Sequence, residues 1–175
     1  MLSDQDIYEY LTRGDLKISP LYSGSIQPSS VDLHLDSKFL WPVHRMDGFQ
    51  VMENDEDEWY NHEEPWELVI VPGDLVLAST VEEVQLPDFL AGQMVGKSSL
   101  GRKGLCVTSA CSHVDPGFRG KLTLELWVAS RYPVTVKPGC SIVQLLFWEL
   151  KTPCKEPYNG KYQYQKLPTY AKEAA

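Results

Sequence analysis

The chain has few of the features that would place it in several large protein classes. None of its 175 residues falls in an apolar run approaching the roughly 18 positions needed to span a membrane. Its start, MLSDQDIYEY, carries charges where a secretory signal needs an apolar core. A cytoplasmic location and no membrane partner are therefore expected. The four cysteines, Cys106, Cys111, Cys140 and Cys154, form no C-x-x-C pair and no Cys/His zinc spacing. Free thiols in a reducing compartment are expected, with no metal ligated by the protein. Positive charge is also scarce: 16 Lys and Arg stand against 24 Asp and Glu, for a net charge of −8. Nonspecific nucleic-acid binding needs a cationic surface that displaces counterions, so nucleic acid is excluded as a partner. There is no internal repeat.

The stretch VGKSSLGRKG, residues 95–104, contains the Gly-Lys-Ser of a phosphate-cradling P-loop but not its spacing. That loop needs a glycine five residues before the Gly of Gly-Lys, and position 91 is Ala91. Its flanks read as β-structure, so no strand–loop–helix unit is expected there. Any phosphate bound by these residues is bound in another way.

What is present reads as one mainly β domain over residues 1–175. A short helix follows Ser3, a capping residue; Ile7 and Leu11 form its apolar stripe and Gly14 ends it. Beyond it come strand signals. Val31, Leu33 and Leu35 alternate with polar residues; Leu68–Val71 runs through Pro72-Gly73-Asp74 and back out at Leu75–Leu77; Val134 and Val136 precede Lys137-Pro138-Gly139. The run Ile142–Leu150, apolar on both faces, suits a buried central strand. Short strands joined by Pro/Gly turns predict an antiparallel sandwich or jelly roll. Residues 152–175 turn polar and rich in Tyr, Pro and Lys, a tail expected to order only on a ligand or neighbour.

Charge is unevenly spread. Residues 53–67 carry eight acidic side chains and no Lys or Arg, which suits a surface hairpin or loop. Residues 97–121 carry Lys97, Arg102, Lys103, Arg119 and Lys121 against Asp115 alone. A cationic patch on an acidic protein can bind a small anion without attracting polyanions. In FRGKLTLELWVA, residues 118–129, Leu122, Leu124 and Leu126 point one way and Lys121, Thr123, Glu125 and Trp127 the other. A Trp beside a carboxylate on one face marks an interface or cleft. Partial burial there favours a carboxyl group that both accepts and donates a proton.

Five blocks in order, IQPSSVDLHL (26–35), GKSSLGRKGL (96–105), HVDPGFRGKLTLEL (113–126), KPGCSIVQLLF (137–147) and GKYQYQ (160–165), resemble the dCTP deaminases of the dUTPase superfamily. The resemblance covers nearly the whole chain. It implies a distorted jelly-roll subunit in a homotrimer, with sites at subunit boundaries and the tail 152–175 closing over the nucleotide. It implies zinc-independent deamination of dCTP to dUTP and ammonia; the H-x-E and P-C-x-x-C signature of zinc deaminases is absent. By position, Glu125 handles the protons, while Ser98 and Arg102 position water and stabilise charge. Lys97, Ser98, Ser99 and Arg102 hold the triphosphate with its Mg²⁺, Asp115 accepts from the sugar 3′-hydroxyl, and Thr123, Gln144, Tyr158, Lys161 and Gln165 complete the nucleotide contacts. The chain departs from the family at Lys97, where arginine is usual, and at Ser109-Ala110-Cys111, where Val-Thr-Ala is usual. Base recognition and inhibition by dTTP are therefore not carried over. A bifunctional deaminase that continues to dUMP and pyrophosphate uses much the same residues and is the alternative. A plain dUTPase leaves Glu125 without a role. A reading from another class is a nonenzymatic nucleotide sensor that uses the acidic segment as its contact surface.

Overall fold

The first helix forms where its capping chemistry is complete. The computed structural model describes residues 1–42, 60–63, 65–108 and 112–172. Helix α1 spans Asp4–Arg13; the Ser3 hydroxyl accepts the Asp6 N–H and the Asp6 carboxylate accepts the Ser3 N–H in return. Gly14, at φ 78°, ends it by donating to the Leu11 carbonyl. The remaining elements in chain order are β1 (Lys17–Ser19), β2 (Ile26–Gln27), β3 (Ser30–His34), β4 (Phe39–Pro42), β5 (Tyr60–Glu63), β6 (Leu68–Ile70), β7 (Leu75–Gln85), β8 (Leu90–Gly96), α2 (Ser98–Gly101), β9 (Leu105–Val107), β10 (His113–Val114), β11 (Arg119–Val128), β12 (Val134–Val136) and β13 (Ser141–Glu149).

The strands make two main antiparallel sheets. One runs β5-β4-β7-β11-β9, with β1 also on β7; the other runs β10-β8-β13-β3-β2, and β6 pairs with β12 in a small ribbon. Leu122, Leu124 and Leu126 from the first sheet join Val31, Leu33, Val143, Leu145 and Phe147 from the second in one apolar core. Burying each such side chain contributes about 2 kcal/mol. The mainly β, jelly-roll expectation is met, as is the alternation read in β11: its leucines are buried, while Lys121, Thr123 and Glu125 are half-buried and Trp127 is exposed.

Register breaks between Lys121 and Thr123, where β7 bulges. Buried Thr80 bridges the gap, its hydroxyl accepting the Leu122 N–H at 3.0 Å and donating to the Glu82 carbonyl at 2.7 Å. The Glu82 carboxylate is itself buried, taking the His34 N–H at 2.9 Å and lying 2.6 Å from His34 Nδ1. Above the bulge, β11 resumes pairing with Thr123 opposite Ser79 and Glu125 opposite Leu77.

Several local expectations change. Leu68–Leu77 is no hairpin: β6 pairs with β12 and β7 with β11, so Pro72-Gly73-Asp74 turns a corner between sheets. Strand β13 is central but not buried on both faces, since Leu146 and Trp148 are half-buried; a bulge between Ser141 and Val143 turns both Ile142 and Val143 inward. The loop after β8 makes one helical turn, α2, where β-structure alone was expected. The tail lies along β11, the Tyr164 N–H donating to the Arg119 carbonyl and the Lys121 N–H to the Gln165 carbonyl. Of the acidic stretch, Tyr60–Glu63 forms β5 against β4, whereas 53–59 and 64 lie outside the described residues, as do Ser109-Ala110-Cys111. Among the described residues Cys106, Cys140 and Cys154 are free thiols, and burial pushes that of Cys140 above its ordinary value.

Candidate functional site

A cavity of about 780 Å³ opens between β11, the turn before it and the C-terminal tail. That volume suits a ligand the size of a nucleotide. Glu125 and Thr123 enter it from β11, Asp115 from the turn, and Tyr158, Lys161 and Gln165 from the tail. Six residues assigned from sequence thus converge from two segments separated along the chain, 115–125 and 158–165.

Each is placed by identifiable chemistry. Asp115-Pro116-Gly117-Phe118 is a tight turn closed by the Phe118 N–H on the Asp115 carbonyl at 3.1 Å, and Gly117 takes φ 87°, which favours glycine. The Asp115 carboxylate lies 3.2 Å from His113 Nε2 and is half exposed. Glu125 is half-buried, with Leu75 and Leu77 of β7 on the same cavity wall. Behind it the Glu125 carbonyl accepts the Thr108 N–H at 2.8 Å. Thr108 holds φ 49°, a conformation a β-branched residue adopts only under strain, and its buried hydroxyl has no hydrogen-bond partner among the described residues. Gln165 Nε2 donates to the Lys121 carbonyl at 2.6 Å, leaving Oε1 as a buried acceptor without a partner among the described residues. A ligand that donates a hydrogen bond would satisfy it.

The other assigned residues are not on this cavity wall. Ser98, Ser99 and Arg102 are exposed on and after α2. Lys97 instead makes an ion pair with the mostly buried Asp32 carboxylate and donates to Ser141 Oγ at 3.0 Å. Gln144 Nε2 donates to the same carboxylate and to Ser30 Oγ, both at 3.2 Å. Lys121 pairs with Asp36. The positive stretch read along 97–121 is therefore partly neutralised in space by two aspartates from the β3 region.

Sequence reasoning missed His113, Tyr162, Thr169 and Tyr170, which also line the cavity. His113 and Tyr162 fall inside the blocks HVDPGFRGKLTLEL and GKYQYQ, a signal that could have found them. Thr169 and Tyr170 are tail residues whose placement depends on how the tail folds back. Thr169 donates its N–H to Thr123 Oγ1 at 3.3 Å. Among the described residues no group of three or more His, Cys, Asp and Glu could hold a metal ion, and no helix is long and apolar enough to cross a membrane.

The family model for dCTP deaminase-like proteins matches residues 1–150. The chain belongs to the dCTP deaminase-like family. It is 42% identical over 177 residues to a dUMP-forming dCTP deaminase of Parafrankia, covering 97% of this chain and 88% of that one. It is 41% identical over 181 residues to a protein of the same name from Dictyoglomus thermophilum, covering 97% and 92%. Among solved structures it resembles the dCTP deaminase of Agrobacterium tumefaciens with a TM-score of 0.65 at 22% identity. That match covers 83% of this chain and 46% of the other, and it is a likeness of fold.

Proposed function

We propose that this family member binds dCTP in the cavity, deaminates it, and carries the product on to dUMP and pyrophosphate. The observation that carries the reading is the meeting of Glu125, Asp115, Thr123, Tyr158, Lys161 and Gln165 around one nucleotide-sized space. The second half of the reaction rests on the relatives, which are named dUMP-forming deaminases. Those names favour the bifunctional alternative over release of dUTP.

The chemistry follows from the residues. Water must attack C4 of the cytosine while N3 gains a proton and the amino group leaves as ammonia. A single carboxylate meets that need by passing the attacking water's first proton to N3, where it stays, and then moving the second proton from the new C4 hydroxyl to the amino group as the C4–N bond breaks; the apolar flank of Glu125 strengthens its interactions. Asp115 accepts from the sugar hydroxyl. The orphan Gln165 Oε1 is an acceptor for a donor group on the nucleotide. A second water then attacks the α-phosphorus, and pyrophosphate departs.

Among the described residues, one protomer's cavity offers Lys161 but no arginine to a triphosphate. The exposed hydroxyls of Ser98 and Ser99 and the guanidinium of Arg102 serve best if a second copy supplies them, as in a homotrimer with sites between subunits. Mg²⁺ enters as part of the Mg–nucleotide substrate. Lys97 and Gln144 both bond to Asp32, linking the residue after β8 and strand β13 to β3, and the third donor of the Lys97 ammonium is left for a phosphate.

Incubating the protein with Mg–dCTP and following ammonia, dUTP, dUMP and pyrophosphate separately tests this. Equal ammonia and pyrophosphate without accumulating dUTP is expected. Ammonia with dUTP alone restores the simple deaminase, and no turnover with retained nucleotide binding favours a sensor.

A further inference from the structure

Gln163 was not among the residues read as contacting nucleotide, and it does not line the cavity. Yet its side chain makes three hydrogen bonds to backbone. Its Oε1 accepts the Arg119 N–H at 2.8 Å. Its Nε2 donates to the Gly117 carbonyl and to the Tyr158 carbonyl, both at 2.9 Å. One amide therefore joins the turn that carries Asp115, the first residue of β11 and the tail residue Tyr158. Only a group with both a donor NH₂ and an acceptor oxygen can serve all three.

The surface that receives it is shaped for close approach. The Tyr164 N–H donates to the Arg119 carbonyl at 2.7 Å, and the Lys121 N–H donates to the Gln165 carbonyl at 2.9 Å. Gly120 lies between them at φ 139°, and a Cβ there would stand 2.8 Å from the Gln165 carbonyl oxygen. A Cβ on Gly117 would stand 2.5 Å from Pro157 Cβ. Both contacts are closer than a side chain tolerates, so two glycines leave the tail room to lie directly on backbone.

We propose that Gln163 is a positioning residue that locks the tail over the cavity and fixes Tyr158, Lys161 and Gln165 relative to Asp115. The role rests on the nucleotide reading above, since it acts on the substrate only through those residues. Its consequence is specific. Losing the lock shifts the tail toward open conformations, and apparent affinity falls by the fraction still closed. Once substrate saturates the site and closes the tail, the chemical step is unchanged.

The test uses full-length Gln163→Ala and Gln163→Glu, read by amide hydrogen exchange and by steady-state kinetics with Mg–dCTP. For Gln163→Ala, exchange at Lys121, Tyr164 and the neighbouring tail amides should quicken about tenfold or more, core amides of β13 should hold, and KM should rise about tenfold with kcat within about twofold. Gln163→Glu places a carboxylate against two carbonyls at pH about 8, and protonation below about pH 4 restores one donor. Its tail protection should therefore recover on acidification, which the alanine variant's should not. Tail amides as protected as in the unaltered protein would overturn the proposal. So would an equal loss in β13, which would make Gln163 a general stability residue, or a fall in kcat with unchanged KM. If the unaltered protein released no ammonia from dCTP yet showed a protected tail that Gln163→Ala exposed, the lock would stand and the nucleotide reading would fail.

Discussion

The Lys97 ammonium is paired with the Asp32 carboxylate, which also accepts from Gln144 Nε2 at 3.2 Å. Removing the cation leaves a mostly buried carboxylate without its charged partner. Lys97→Met is expected to cost about 2 kcal/mol, or about 4–8 °C in Tm for a chain of this size. Adding Asp32→Asn, which removes the stranded charge and keeps an acceptor for Gln144, should recover most of it. Thermal unfolding of both variants checks the cycle. An unchanged Tm in the single variant would mean that the pair contributes nothing.

If sites form between subunits, Glu125 and Arg102 of one working site come from different chains. Glu125→Gln and Arg102→Ala homo-oligomers should each be inactive. Coexpressed in equal amounts they should recover about a quarter of full activity, the share of boundaries that unite two unaltered residues. No recovery in a verified mixed oligomer would place both residues in the same protomer's site.

Tyr164 holds φ 62°, where a bulky residue pays for its backbone. Its ring is mostly exposed, so burial returns little. Tyr164→Gly should favour the closed tail by about 1 kcal/mol and slow proteolysis within residues 158–166. Faster cleavage would mean that the ring, not the backbone, holds the tail.

Bonds to Ser3 hold the Asp6 carboxyl below its ordinary value of 3.8, the backbone N–H first and the hydroxyl second. Because the folded state binds the proton less readily than the unfolded one, the contribution is present above that ordinary value and is lost as pH falls through the lower folded value. Asp6→Ala should therefore be less stable than the unaltered protein near neutrality, with the difference shrinking in strong acid. Urea midpoints measured across that range check the sign.

Much of this was legible in the sequence because it depended on local periodicity. The α1 boundaries followed from Ser3 and Gly14, and the β11 faces followed from three alternating leucines that leave Thr123 and Glu125 on the cavity side. The five blocks supplied the family. What was not legible depended on distant partners. Nothing near Lys97 in sequence announces Asp32, and positive charge summed along 97–121 does not reveal that Asp32 and Asp36 fold against two of its members. The corner at Pro72-Gly73-Asp74 looked like a hairpin because a turn signal does not say which strand its flanks will pair with. The tail's path along β11 was likewise hidden, because it rests on distant backbone to which Gly120 grants access by lacking a side chain.

The central claim is that Glu125 moves the protons, and an isosteric change addresses it most directly. Ammonia release and dCTP binding should be measured together on the unaltered protein and on Glu125→Gln. The account predicts that the variant binds dCTP with similar affinity while ammonia release falls by about 10²–10⁴-fold, the range for losing a general acid–base group. Ammonia release at the unaltered rate from Glu125→Gln would contradict it.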